Sequence, residues 1–415
     1  MLRETAEAWR RWMRAFSYSG PQEPMVRRAA ITLKLCDDWI NGSLVASPTS
    51  SLPAAFGGVR NWDYRYAWIR DAAFTVFALR RVGFGGEADA FLGWVLDAFE
   101  NTVQPQIIYT LGGDPVPREV EDAGLEGYRR SAPVRWGNGA ADQRQHDIYG
   151  EVLDCADQWL RAGGDVQPAL WAGLVELART AESAWCRPDQ AIWEVRSEGR
   201  VFTYSAGMCQ VALDRAAGIG ERLGLPGPVG TWRAAAEKVR RLILERSWDE
   251  DAQTLSEHID GGGSLDASLL ALPLRKVVPA DHPRMAATTA AIAERLSAGD
   301  GLLYRYLQDA SPDGLSGDEG AFLLCSFWLV DISCCKATSN GPRSCTTRSA
   351  RPHRRVGTAR LIHGGPATVL ARVVIRARVV IRRTRAPACP SRPPPPGTTS
   401  RREDPRPGRA LRAMW

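Results

Sequence analysis

Residues 204–213 read YSAGMCQVAL, a run with small or apolar side chains on almost every face of a helix. A helix of that kind has no side to give to water and must be covered all round. Two other segments share the property, AAFTVFAL (72–79) and AFLLCSFWLV (321–330). Between them lie segments whose apolar residues recur at three- and four-residue spacing on one face. These are Phe91, Leu92, Val95, Leu96 and Phe99; Leu170, Leu174, Leu177 and Ala181; Trp232, Val239, Leu242 and Ile243; and Met285, Ile292 and Leu296. Alternation of all-sided with one-sided helices fits an inner ring inside an outer ring better than a simple bundle or a βαβ sheet. The expectation is an all-α fold with about ten helices before residue 332.

The chain has 415 residues, 44 % of them hydrophobic, including 15 tryptophans, enough for a large core. Its formal charge of +6 hides two unlike parts. Residues 332–415 hold 19 of the 53 basic residues and two of the 47 acidic ones, so the preceding body is acidic, at −11. The last part also takes 11 of the 27 prolines and has no Phe or Tyr, which leaves it little to build a core from. After WLVD (328–331) a helical pattern gives way to ISCCKATSNGPRSC. Two origins fit this change, a shifted reading frame or a genuine basic tail. The arginines raise nucleic acid as a partner, but without interspersed aromatics the tail is a poor nucleic-acid surface, and that partner is not expected. Of the nine cysteines, Cys36, Cys155, Cys186, Cys209 and Cys325 lie scattered before residue 332 without paired CxxC spacing and read as reduced core thiols. The first 30 residues contain no long apolar run, so no membrane span is expected and a cytoplasmic location is. No metal cluster, phosphate-binding glycine loop or cofactor fingerprint is visible, and no metal or cofactor is expected.

Four segments concentrate polar and aromatic residues. GGVRNWDYRYAWIRDAAF (57–74) interleaves Arg60, Asp63, Arg65, Arg70 and Asp71 with Trp62, Tyr64, Tyr66 and Trp68. That mixture suits a sugar, whose hydroxyls need donors and acceptors and whose apolar face packs on an aromatic ring; a buried Arg–Asp network anchoring a helix is the alternative. GYRRSAPVRWGNGAADQRQHDIYGEVLD (127–154) brings Trp136 and His146 ahead of an inner helix, His146 being expected to be structural. AIWEVRSEGRVFTYS (191–205) sets Glu194 between Trp193 and Val195, with a helix starting near Thr203. Apolar flanks would raise the Glu194 carboxyl and keep it protonated as a general acid, whereas direct pairing with Arg196 would oppose this; an ordinary loop glutamate is the plainer reading. GLLYRYLQDASPDGLSGDEGAFLLCSFW (301–328) offers Arg305 and Glu319 as ligand groups and Asp318 as a helix-start charge.

These four segments, in this order and together with LDASLLALPL (265–274) and VPADHPRM (278–285), resemble glycoside hydrolase family 15, whose members are glucoamylases, glucodextranases and bacterial trehalases. The resemblance covers about residues 1–331 and implies an (α/α)6 barrel, here incomplete at its C-terminal end. It divides the chain into a linker helix (1–20), an incomplete catalytic domain (21–331) and an aberrant or disordered tail (332–415), with the β-sandwich that often precedes the linker expected to be missing. It implies inverting exo-hydrolysis of α-linked glucose in an α-glucan or maltooligosaccharide, with trehalose as the alternative substrate. By the same resemblance Glu194 is the general acid, Arg70, Asp71 and Arg305 hold glucose, and Trp136, Trp193 and Glu319 contribute to the subsite. An inverting reaction needs a second carboxylate about 6.5–9.5 Å away to activate water. The family's base lies in a Glu-containing loop after the WLVD helix, and nothing beyond Asp331 resembles it, Glu403 and Asp404 sitting in Pro/Arg-rich sequence. A catalytically impaired, sugar-binding product is therefore the further alternative.

Overall fold

The computed structural model describes residues 1–339 apart from 21, 49–52, 101–103, 311–312 and 316–318. The tail from residue 340 and Asp318 lie outside the described residues.

The helices are α1 (Leu2–Trp12), α2 (Glu23–Lys34), α3 (Ile69–Arg80), α4 (Gly86–Glu100), α5 (Asp147–Arg161), α6 (Pro168–Ala184), α7 (Thr203–Leu223), α8 (Val229–Arg246), α9 (Ala271–Leu274, extended backwards by the 3-10 turn Ala267–Leu270), α10 (Pro283–Arg295) and α11 (Leu323–Ser339). The all-sided segments of the sequence are α3, α7 and α11. Helix α3 has eight of its 12 residues buried, whereas in α11 five of the 11 described side chains (323–333) are buried and Leu329 and Val330 are only half-buried. In α7 fifteen of 21 residues are buried, whereas in the one-sided α8 four of 18 are, so α7 is interior and α8 is a covering helix. Helix α5, with twelve of 15 residues buried, is interior too.

The inner helices pack in chain order, α3 on α5, α5 on α7, α7 on α9, and α9 on α11. Each follows an outer helix, giving the pairs α2/α3, α4/α5, α6/α7, α8/α9 and α10/α11. Five pairs lie among the described residues, where an (α/α)6 barrel has six. Close approach of α5 to α7 depends on Gly150, where an added Cβ would stand 2.3 Å from the Met208 carbonyl oxygen. One apolar core fills the space among α3 to α8, and a second joins α7 to α9, α10 and α11. Helix α1 has no buried residue. It is fastened at its last residue, Trp12, which stacks on Phe84 at 3.9 Å and donates its indole N–H to Glu87 at 2.9 Å.

The change of character after Asp331 does not end α11, which continues through Ser339. Ile332 is buried in the second core, and a β-branched residue costs a helix only a few tenths of a kcal/mol to about 0.7 kcal/mol, so packing outweighs propensity there.

Candidate active site

The inner helices bring their N-terminal ends together, and the four sugar-like segments are the loops that feed those ends. Trp68 and Ile69 continue from the short ladder of β1 (Ala67–Trp68) with β2 (Ile108–Tyr109) directly into α3. This puts Arg70 in the first turn of α3, 1 % exposed, with its Nη1 donating to Asp147 at 2.7 Å and to Gln145 at 2.8 Å. Asp147 opens α5 and is fully buried. Nη2 of Arg70 reaches Glu194 at 3.3 Å, so one guanidinium links the starts of α3 and α5 to the loop ahead of α7. Burial on its own would lower the Arg70 pKa, but the Asp147 and Glu194 charges more than offset it and hold the group above its ordinary value.

Glu194 itself has φ +60, a left-handed conformation that costs a non-glycine residue about 1 kcal/mol or more, and Ala191 in the same turn has φ +56. Several bonds hold this turn. Val195 donates its amide to the Gln190 carbonyl at 3.0 Å, and Gln143 donates to the carbonyls of Glu194 (3.3 Å) and Val195 (3.1 Å). Asp189 accepts the amides of His146 (2.9 Å) and Ala191 (3.3 Å), its carboxyl pushed up to about 7 by burial against these bonds. The Glu194 side chain remains 26 % exposed amid this buried framework.

On the opposite side, Trp193 donates its indole N–H to both oxygens of Asp266, at 2.8 and 3.0 Å. Asp266 caps the turn that leads into α9, and burial raises its carboxyl to about 7. The Arg305 guanidinium lies 5.1 Å over the Trp193 ring and is ion-paired with Glu319. Phe322, just before α11, meets the Trp193 ring edge-on at 5.5 Å. Arg60 pairs with Asp313 at 2.6 Å and also approaches Glu319 at 3.4 Å. Burial would raise the Asp313 carboxyl, but the bonds from Arg60 and the Tyr306 hydroxyl lower it. Three atoms in this cluster, Arg70 Nε, Asp147 Oδ1 and Arg305 Nε, are buried with no hydrogen-bond partner among the described residues.

The structure therefore brings Arg70, Trp193, Glu194, Arg305 and Glu319 into one linked cluster. Asp71 lies half-buried beside Arg70 in the first turn of α3. Trp136 is placed further out. It ends β4 (Val134–Trp136), which pairs with β3 (Val120–Asp122), is 44 % exposed, bonds Asp122 at 3.0 Å and carries the Arg65 guanidinium 5.0 Å over its ring. Arg196 does not pair with Glu194. It makes a two-pronged bond to Glu119, at 2.8 and 2.6 Å, and together with Arg135 encloses the Trp62 ring, the two guanidinium groups 4.4 and 4.5 Å from its centre. His146 starts α5 as a structural residue stacked on Tyr149. Sequence reasoning did not single out Asp147, Asp189, Asp266, Gln143, Gln145 or Glu119. For Asp266 a signal existed, an Asp directly ahead of a small-residue helical run, which is an N-cap pattern. Among the described residues no group of three or more His, Cys, Asp or Glu could hold a metal, and no helix is long and apolar enough to cross a membrane.

A ring of paired helices with arginines, carboxylates and tryptophans gathered at the N-terminal ends of its inner members defines a carbohydrate-active α/α barrel. The chain belongs to the glycosyl hydrolases family 15, whose family model matches residues 20–352. It is 42 % identical over 332 residues to the trehalase of Mycolicibacterium smegmatis, an alignment covering 79 % of this chain and 49 % of the relative. To the trehalase of Thermoplasma volcanium it is 37 % identical over 330 residues, covering 80 % of this chain and 52 % of the relative. The chain thus spans about half the length of the curated relatives it matches. Among solved structures, a bacterial glucoamylase complexed with acarbose superposes with a TM-score of 0.59 at 16 % identity, over 75 % of this chain and 47 % of that one. The fold is accordingly that of the glucoamylase (α/α)6 barrel, all-α as the helix pattern implied, with five of its six helix pairs among the described residues.

Proposed function

We propose that this site recognises the glucose unit of a small α-glucoside, trehalose before maltooligosaccharides, and that Glu194 is the acid that protonates the glycosidic oxygen. The observation that carries the reading is the placement of a partly exposed carboxylic acid, Glu194, 3.3 Å from a fully buried arginine at the meeting point of the inner helix N-termini. Sequence identity favours trehalose, since relatives named trehalase stand at 42 % and the glucoamylase structure at 16 %.

In the inverting reaction Glu194 gives its proton to the leaving oxygen while a second carboxylate takes a proton from the attacking water. Among the neighbouring carboxylates, Asp147 is engaged by Arg70, Asp313 by Arg60 and Glu319 by Arg305, while Asp189 and Asp266 are buried and taken up by N–H donors. A carboxylate held in a short, buried ion pair is a poor proton acceptor, whereas Glu194 has the longer contact with its arginine, 3.3 Å, and the most exposed side chain of the set, 26 %. With no counterpart of the family's base after Asp331, this chain is expected to bind its sugar and turn it over at background rate. A cytoplasmic setting accords with Cys36, Cys155, Cys186, Cys209 and Cys325, all of which are free thiols.

The test is glucose release from trehalose and from maltose by the 415-residue chain and its Glu194→Gln variant, with calorimetric titration of both sugars. The expected result is binding, tighter for trehalose, and release that the substitution does not lower. Release well above that of Glu194→Gln overturns the missing base, and failure to bind either sugar overturns the glucoside reading.

A further inference from the structure

Glu194 and Trp193 are consecutive but are held by opposite walls of the site. The Glu194 carboxylate reaches toward Arg70 on the α3/α5 side, whereas the Trp193 indole is fixed to Asp266 on the α9/α11 side. The turn that carries both takes left-handed φ values at Ala191 and at Glu194 itself, a conformation that persists only where its surroundings impose it. Asp266 is 3 % exposed and divides its bonds between two tasks, capping the turn before α9 through the Ser268 amide at 2.6 Å and accepting the Trp193 indole N–H. The Trp193 ring is further confined by Phe322 at 5.5 Å, Trp328 at 6.4 Å and the Arg305 guanidinium at 5.1 Å. These contacts are apolar or diffuse in direction and leave the ring free to slide in its plane. The two bonds to Asp266 supply the missing directional restraint.

We infer that Asp266 is a positioning residue for Glu194: by holding the Trp193 indole N–H it sets how far the left-handed turn carries the glutamate across the mouth of the site. The inference rests on the reading of Glu194 as the acid. It assigns the carboxylate at the start of α9 a role in a group it does not touch.

Asp266→Asn isolates this role, because asparagine caps a helical turn as well as aspartate does but presents a weaker, neutral acceptor to the indole. Trp193→Phe cuts the same link from the other side, keeping an aromatic ring and removing the N–H. Two readouts apply to the full chain: backbone amide exchange across residues 190–196, and calorimetric binding of 1-deoxynojirimycin, a basic glucose analogue that pairs with the acid. Each single variant is expected to accelerate exchange in 190–196 about tenfold and to weaken binding about tenfold, equivalent to about 1.4 kcal/mol, with exchange in α5 and α8 unchanged. Adding Asp266→Asn to Trp193→Phe is expected to change neither readout further, since coupled groups are not additive. Exchange and binding unchanged in Asp266→Asn overturn the inference, as does an equal loss on adding it to Trp193→Phe, which marks a purely structural role. If the unsubstituted chain binds no 1-deoxynojirimycin, the glucoside reading fails, and amide exchange in the two variants still decides the positioning.

Discussion

Replacing Arg70 by methionine tests the centre of the site most directly. Methionine fills much of the same volume but leaves Asp147, which is fully buried, without its 2.7 Å cation. Breaking a buried pair by removing one partner costs about 3–5 kcal/mol, because the remaining charge has neither water nor counter-ion. Asp147 keeps one compensation, its place in the first turn of α5, where the helix dipole favours a negative charge by about 1 kcal/mol. The expected loss is therefore about 2–4 kcal/mol, read from the urea midpoint at an unchanged slope. Adding Asp147→Asn to Arg70→Met removes the stranded charge and is expected to restore at least half of that loss. The same guanidinium also bonds Gln145 and Glu194, so Arg70→Met is expected to abolish trehalose binding as well. Arg70→Lys is not a rescue, since one ammonium cannot reach both carboxylates with the planar fork's geometry. A loss below about 1 kcal/mol, or a double variant no more stable than Arg70→Met, would refute the claim that this ion pair organises the start of α3 and α5.

Two glycine substitutions are expected to act with opposite signs in the same urea assay. Gly150→Ala drives a methyl against the Met208 carbonyl, 2.3 Å away on a helix that cannot yield locally, and costs about 1–3 kcal/mol by overpacking. Gly93→Ala, on an exposed position of α4 with nothing within 4 Å, gains about 0.5–1 kcal/mol from helix propensity. Burial lowers the His146 imidazole to about 4, with Asp147 opposing only in part. The unfolded chain binds that proton first, near 6.5, so stability is full above about pH 6.5 and falls as pH drops toward 4. His146→Phe is expected to remove about 2–3 kcal/mol of the difference in unfolding free energy between pH 7.5 and pH 4.5; identical pH profiles for the two proteins exclude it. Trp136→Ala, at a 44 % exposed site, is expected to weaken trehalose binding severalfold and to move stability by no more than about 0.5 kcal/mol.

The parts of the molecule that the sequence revealed are those set by local pattern. Apolar periodicity separates α3 and α7, buried on most faces, from α4, α6, α8 and α10, covered on one, because burial acts on each turn of helix independently; α11 has the same all-sided pattern but leaves Leu329 and Val330 half-buried. Glu194, Arg70 and Arg305 stand out since charges close to aromatic residues, here Trp193, Trp68 and the pair Tyr304 and Tyr306, are rare. Long-range pairing was not legible in the same way. Arg70 finds Asp147 across 77 positions and Glu194 across 124, and Arg196 turns to Glu119 rather than to its near neighbour Glu194. Those choices depend on which helix starts meet, and no stretch of sequence records that. The continuation of α11 past Asp331 was hidden for a related reason: a polar, cysteine-containing run is a weak helix former alone, and the burial of Ile332 in the second core is a tertiary gain.

The electrical asymmetry of the inner helices explains why the acid chemistry gathers at one end of the fold. Each inner helix presents unpaired N–H groups and a partial positive charge at its start, and the reverse at its end. Asp71 and Asp147 in first turns, and Asp266 as a cap, all stand where carboxylates are stabilised. The far ends carry the complement: Arg81 after α3, Arg161 closing α5, and Arg275 and Lys276 after α9 line a cavity of about 600 Å³ there, together with Arg215 and the acids Asp154 and Asp157. Arg275 bridges two of the acids of α5, Glu151 and Asp154, and Arg215 also pairs with Asp154. At that end arginines satisfy acids of α5 and α7 and fasten neighbouring helices to them. At the N-terminal end the dipoles already favour the carboxylates, so Arg70 can divide its donors between a structural partner, Asp147, and a partly exposed one, Glu194. That division is what leaves a carboxylic acid facing solvent in the middle of a buried ion network, and it requires several helix starts at one place, which a ring of inward-packed helices supplies.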